Sequence, residues 1–410
     1  MKKFGCIAAA AVLAAVCCDR DLSTIQKADP QPVRELTALE KRVSEASNAF
    51  GFDLFGEVCR EEGVKNVFVS PFSVSMALGM TLNGAAGGTE TDMRSVLGFE
   101  GMIQDEINAS YRGLLDLLRA ADDETVMEIA NSIWYRLGYP VQPAFIDVNR
   151  RYFDAAVREM DFSDPAAPDV INGWISDNTH GRIDRMIEEI DPMTVMFLIN
   201  AVYFKGTWGY AFDPKTTRDD FFVPDGGSAV PCRMMSQKAE IGYFRTSDFR
   251  AVELPYGNGR FAMALFLPDA ASSTDAFISG WTDSAWRDWK TRFVEREMDL
   301  YLPKFKVEYK ITLSDALKAL GMAVAFGGRA DFSRITGSPG PYISDVYHKS
   351  FVEVDEKGTE AAAVTVVEIR ETSIGPDEGT IRFDRPFAFA IYEKTSGAML
   401  FMGRIETVGP

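Results

Sequence analysis

The chain has 410 residues, enough for one large domain or for two or three average ones, so length alone does not decide the organisation. Hydrophobic residues make up 46% and aromatic residues 12%, which supplies a sizeable core and excludes a wholly disordered chain. Lys plus Arg number 43 against 60 Asp plus Glu; the resulting net charge of −17 repels a phosphate backbone and argues against nucleic acid as a partner.

The first residues, MKKFGCIAAAAVLAAVCC, put Lys2 and Lys3 ahead of an apolar stretch too short to span a bilayer, the pattern of a signal peptide. Leu13-Ala14-Ala15-Val16-Cys17 resembles a bacterial lipobox, in which the cysteine after the cut is lipidated, and Cys17 and Cys18 are both candidates. Residues 1–17 are therefore expected to leave as a signal. Residues 18–44, with Asp19, Asp21, Pro30 and Pro32, read as a solvated tether ahead of a folded domain at 45–410. The expected location is the bacterial cell envelope, at the outer membrane or cell surface, with the membrane reached through the lipid. Of five cysteines only Cys59 and Cys232 remain in the body, where buried free thiols are the expectation and a single disulfide the alternative.

Val43, Ala46, Phe50, Leu54 and Val58 recur at intervals of three and four, which predicts a helix over 43–60. SPFSVSMALGMTLNGA predicts a buried helix with Ser70 as cap, Pro71 in its first turn and an end near Gly84. Thr89, three residues before Asp92, reads as the cap of the next helix. Further on the period changes. VMFLINAVYF (195–204) and FAMALFL (261–267) are continuous apolar runs that suit strands buried on both faces. Met298, Leu300 and Leu302 alternate with polar neighbours, and 387–391 and 399–402 are again strand-like. Helices early and strands late, with no repeat or later linker, favour one α+β domain.

Catalytic patterns are missing from the sequence. The two histidines, His180 and His348, have no second histidine at metal-ligand spacing, and no Gly-x-Ser-x-Gly elbow occurs. No metal, no cofactor and no enzymatic activity are expected.

From Asn66 onward NVFVSPFSVSMALGMTLNGAAGGTETDMRSVLGF resembles the serpin pattern. The resemblance continues through Asn172-x-Trp174, LINAVYFKGTWGYAFDP, VPCRMMSQ, VELPYG, LFLPD, ADFSRIT, HKSFVEVDEKGTEAAA and FDRPFAFAIYEKTSGAMLFMGRI. It implies a single α+β domain with the serpin fold: a large central mixed sheet, further sheets, about eight or nine helices and an exposed reactive centre loop near 356–380. His180 departs from the family's usual asparagine and would serve as a hydrogen-bonding turn residue. The resemblance sets His348 beneath the main sheet near Asn200, Ser70 and Ser73, where two strands part. It sets Trp208 at the top of that sheet.

Residues 359–370, TEAAAVTVVEIR, are strand-like within what should be an exposed connection. Thr359, Ala361, Ala363, Thr365, Val367 and Ile369 form an uncharged alternate set, while Glu360, Glu368 and Arg370 fall on the other side with Ala362, Val364 and Val366. Gly358, following the hinge glutamate Glu356, supplies a pivot, and Ala361, Ala362 and Ala363 are small enough to slip between strands. By resemblance this is a loop that becomes a strand after a protease cuts it, trapping the acylated protease in a covalent one-to-one complex. Counting from Glu356, the bond implied is Thr372-Ser373, which suits an elastase-like serine protease. Arg370, Glu371, Ile374 and Gly375 are alternatives, and a cysteine protease is an alternative target. A monomer is expected. The competing reading is a non-inhibitory serpin acting as a surface binding module.

Lipidation has a direct test. The mature chain should partition into the detergent phase of a Triton X-114 extraction, and a variant carrying Cys17→Ala and Cys18→Ala should remain aqueous; unchanged partitioning would contradict the anchor.

Overall fold

The computed structural model of the protein describes residues 34–123, 125–359 and 379–409. Ten α-helices occur among the described residues, rather than the eight or nine expected, and the last two are single turns: α1 (Ala38–Glu62), α2 (Pro71–Leu82), α3 (Gly87–Val96), α4 (Gln104–Arg119), α5 (Pro143–Phe153), α6 (Ala167–Asp177), α7 (Thr274–Gly280), α8 (Asp283–Trp289), α9 (Ser314–Leu317) and α10 (Ser333–Thr336). The strands are β1 (Val67–Val69), β2 (Val126–Arg136), β3 (Ala156–Met160), β4 (Met196–Thr207), β5 (Arg218–Phe222), β6 (Val230–Arg245), β7 (Phe249–Tyr256), β8 (Phe261–Pro268), β9 (Val294–Pro303), β10 (Phe305–Thr312), β11 (Tyr347–Asp355), β12 (Gly358–Thr359), β13 (Thr380–Arg382), β14 (Phe387–Glu393) and β15 (Met399–Ile405).

They form two mixed sheets. One runs β1-β15-β14-β8-β7-β6-β9-β13, with β5 also on β6; the other runs β10-β11-β12-β4-β2-β3. In the second, β2 and β3 are parallel and the remaining pairs antiparallel. The run 261–267 behaves as its period predicts, whereas 195–204 is a strand that is only part-buried along much of its length. Every residue of β8, β14 and β15 is buried. β4 is apolar on both sides because it has two layers to satisfy: Phe204 joins the main core, whereas Ile199 joins a second cluster with Trp134 of β2 and Ile175 of α6.

Three local expectations need correction. The folded body begins before residue 45, because α1 starts at Ala38. Thr37 Oγ1 accepts from the Glu40 amide, Glu40 returns a bond to the Thr37 amide, and Arg34 clamps the Glu40 carboxylate. The tether predicted through residue 44 therefore overlaps the first turns of a capped helix. Ser70 stands at the N-terminus of α2, yet its hydroxyl donates to Leu400 O at 2.7 Å instead of capping. Thr89 is not a cap either: α3 starts at Gly87, and the Thr89 hydroxyl accepts from the Asp331 amide. Cys59 and Cys232 are free and buried, as expected, and burial pushes the Cys59 thiol up to about 12.

Candidate functional site

The site is a hinge seated between two strands. Gly358 and Thr359 form β12, antiparallel to both neighbours: Thr359 lies opposite Val354 on β11 and Gly206 on β4, and Gly358 opposite Asp355 and Thr207. Among the described residues β4 and β11 pair with each other nowhere, so β12 alone joins them at the top of this seam. A glycine is required there. Its φ is +151°, and a Cβ at this position would lie 2.0 Å from Gly206 O. Thr359 is 3% exposed, with its hydroxyl 2.6 Å from Tyr256 Oη on the core side.

The approach to the hinge is tied down residue by residue. Trp208 Nε1 donates to Asp355 O at 3.0 Å, its amide donates to Lys357 O at 2.9 Å, and its ring stacks on Tyr256 at 4.5 Å. Phe212 N donates to Glu356 O. The Glu356 carboxylate takes bonds from Lys304 Nζ and Thr217 Oγ1, each at 2.8 Å. Burial alone would raise the Glu356 carboxyl, but the ammonium and these donors hold it below the usual carboxylate range.

Lower down lies a row of buried polar groups. The Ser70 amide donates to His348 Nε2 at 3.2 Å, which leaves the proton of the neutral ring on Nδ1. Ser73 donates to Asn200 Oδ1, Asn200 Nδ2 donates to Asn131 Oδ1 at 2.7 Å, and Asn131 Nδ2 donates to Phe153 O. The four residues grouped by sequence thus come together as two pairs, Ser70 with His348 and Ser73 with Asn200, and the Ser70 contact is through its backbone. Burial pushes the His348 imidazole down to about 4.

The connection after α6 crosses the outer face of this region and is pinned to both sides. Lys349 on β11 reaches Asp184 at 3.0 Å and Arg182 lies over the Phe351 ring, while on the other side His180 bonds Glu128 of β2 at 2.8 Å and packs against Tyr203. His180 has a φ of +50°, the turn geometry its place in the sequence called for.

A family model for serpins (serine protease inhibitors) matches residues 45–408. The chain belongs to the serpin family. Iripin-3 of Ixodes ricinus is 33% identical over 90% of this chain and 95% of its own length, and human neuroserpin is 32% identical over 83% and 86%. Among solved structures, human thyroxine-binding globulin complexed with thyroxine superposes with a TM-score of 0.84 at 27% identity, covering 91% of this chain and all of that one. Tengpin, a thermophilic serpin in its native state, gives 0.80 at 30% identity, covering 93% and 98%. Serpins are in the main protease inhibitors and not enzymes, and among the described residues no cluster of His, Cys, Asp and Glu could hold a metal ion.

Of the residues singled out in the sequence, Glu356, Gly358, Thr359 and Trp208 gather at the hinge, and Ser70, Ser73, Asn200 and His348 lie along the seam below it. Cys17, Cys18, Glu360, Ala361, Ala362, Ala363, Arg370, Glu371, Thr372, Ser373, Ile374 and Gly375 lie outside the described residues. Sequence reading missed Tyr256, Thr217, Lys304 and Asn131. Tyr256 stands in the VELPYG segment, which marked the family without marking a contact.

The buried His348 gives this serpin a pH dependence. Its folded pKa lies below the unfolded value of 6.5, so the stability it contributes is full above 6.5 and is lost as pH falls toward 4, amounting to roughly 3 kcal/mol in all. His348→Gln should lower stability at pH 7 yet flatten the decline between pH 6.5 and 4 in urea unfolding; parallel declines would contradict the assignment.

Proposed function

We propose that this serpin is a suicide-substrate inhibitor of serine-type endopeptidases with elastase-like pockets, held on a bacterial envelope through Cys17 or Cys18. The observation that carries the reading is β12, two residues of the hinge already paired between β4 and β11 with Thr359 turned into the core. Extending that register gives the rest. Thr359 opposite Gly206 puts residue 369 opposite Met196, the first residue of β4, and Thr359 opposite Val354 puts residue 366 opposite Tyr347, the first of β11. The segment that fits the seam is thus 360–369, which is the strand-like stretch of the sequence.

The same register assigns faces. Ala361, Ala363, Thr365, Val367 and Ile369 would follow Thr359 into the core, and Glu360 and Glu368 would face out. Thr365 would fall opposite both Asn200 and His348, where a hydroxyl meets an amide and the imidazole Nδ1–H, so the polar row would receive a polar residue.

The chemistry belongs to the protease. Its serine oxygen attacks the Thr372 carbonyl and the bond to Ser373 breaks. The new amine leaves with a proton from the protease's own base, and an ester joins Thr372 to the enzyme. Insertion of 360–369 must then outrun hydrolysis of that ester. At about 1 kcal/mol net per backbone hydrogen bond, ten inserted residues supply on the order of ten kcal/mol. The uncut form is therefore held by kinetics.

Incubation with elastase-type proteases should give an SDS-resistant one-to-one adduct. Thr359→Arg should abolish it and leave the loop cleaved with turnover, because a guanidinium would have to enter the core beside Tyr256. Turnover of the wild type by every such protease would reject inhibition and favour a surface binding module; adduct from Thr359→Arg in wild-type yield would overturn the inward face.

A further inference from the structure

The second sheet has an open edge. Along β2 the backbone groups alternate in direction: the Arg136 amide donates to Val195 O at 2.9 Å, on the β4 side, and the Leu137 amide to Met160 O at 2.8 Å, on the β3 side. β4 accompanies β2 over 126–135, but β3 pairs only with 132–136. Counting back by twos, Met127 and Ile129 turn their amide and carbonyl groups to the outer side, where no described strand reaches them. One carbonyl there is covered. Arg119, at the end of α4, donates to Ile129 O at 3.0 Å and is held by Asp154 at 2.6 Å. A cavity of about 590 Å³ opens along the rest of the edge. Met127 and Ile129, which belong to the main core, line it together with Trp174 of α6, which packs on the second cluster, so the cavity touches both layers of the fold.

An unpaired edge over buried side chains is a template for another strand, and native proteins cover such edges. The chain's own N-terminal segment is the occupant in reach. Arg34, the first described residue, donates to Gly113 O of α4 at 2.7 Å, so residues 18–33 arrive beside that helix. From Gly113 to Arg119 at the cavity is about 9 Å along α4, and the chain between residues 28 and 34 can reach about 20 Å. Within 18–33 the longest stretch without proline or an acidic residue is 22–28, LSTIQKA, where Thr24 and Ile25 are β-branched. Its two large apolar residues, Leu22 and Ile25, stand at odd spacing and so fall on opposite faces of a strand, as a cavity bordered by both layers requires. We propose that residues 22–28 add to the outer edge of β2 as a short strand, end to end with β3, through main-chain bonds to Met127 and Ile129. One large residue would then meet Met127 and Ile129, and the other Trp174. The docking needs neither cleavage of the loop nor a lipid. With a lipid on Cys17 or Cys18, as proposed above, it would leave only the residues before Leu22 as free tether and hold this edge of the sheet close to the membrane.

Amide hydrogen exchange of the full chain in detergent solution, resolved to single residues by mass spectrometry with electron-transfer fragmentation, tests the docking. In the wild type the amides of Met127 and Ile129 should be protected along with those of 22–28. Ile25→Pro removes a donor and breaks the pairing at the middle of the segment. It should speed exchange at Met127 and Ile129 by roughly tenfold or more and leave Glu128 and Ala130, which face β4, as they were. Gln31→Pro, placed between two prolines already present, should change neither pair. Fast exchange at Met127 and Ile129 in the wild type would overturn the proposal, and so would protection that survives Ile25→Pro. If that surviving protection rises with protein concentration, the edge belongs to a second copy of the chain; if it does not, α4 alone covers it. None of these outcomes depends on an adduct with a protease, so the inhibitory reading stands or falls separately.

Discussion

The close approach of Gly358 to Gly206 fixes the register on which the rest of the seam depends. A side chain at 358 would collide with the Gly206 carbonyl, so the chain can enter between β4 and β11 only with glycine at that point. With Gly358 seated opposite Thr207, Thr359 turns inward to Tyr256, and on the proposed insertion each later residue would take its partner and face from that register. A shift by one residue would send Glu360 and Glu368 into the core. In the proposed inserted form, register would be set by sterics at one end and by the cost of burying carboxylates along the rest.

Around this point the protein invests polar contacts where other parts of the core use apolar ones. Lys304 and Thr217 hold Glu356, Trp208 and Phe212 hold the backbone of 355–357, and Lys349 and His180 hold the connection after α6 across the outer face. Hydrogen bonds and partly exposed ion pairs can be broken and remade at small net cost, whereas interdigitated apolar packing cannot be reopened without forming a cavity. On the proposed inhibitory reading, a sheet that admits a strand is better closed by the former. In the buried row, the side chains of Ser73, Asn200 and Asn131 already bond one another with β4 and β11 unpaired at that level.

Much of this was legible in the sequence. The 3.6-residue period gave α1, the apolar run gave β4, and of the residues alternating after Gly358, Thr359 is buried as assigned while the others lie outside the described residues. What escaped was decided by partners distant in the chain. Ser70 looked like a cap because local pattern knows only local donors; its hydroxyl is taken by Leu400, and its amide by His348. Thr217 and Lys304 lie far from Glu356 in sequence, and no spacing rule links them. The boundary set at residue 45 missed the capping box at Thr37 and Glu40, since the family resemblance begins after the helix does.

Amide hydrogen exchange, followed by mass spectrometry before and after a non-target protease nicks the loop between residues 370 and 375, tests the insertion most directly. Pairing of 360–369 with both neighbours should slow exchange across 196–205 of β4 and 347–353 of β11 by roughly tenfold or more, although a cut ordinarily loosens a chain. Unchanged or faster exchange in these two strands after the cut would contradict the account.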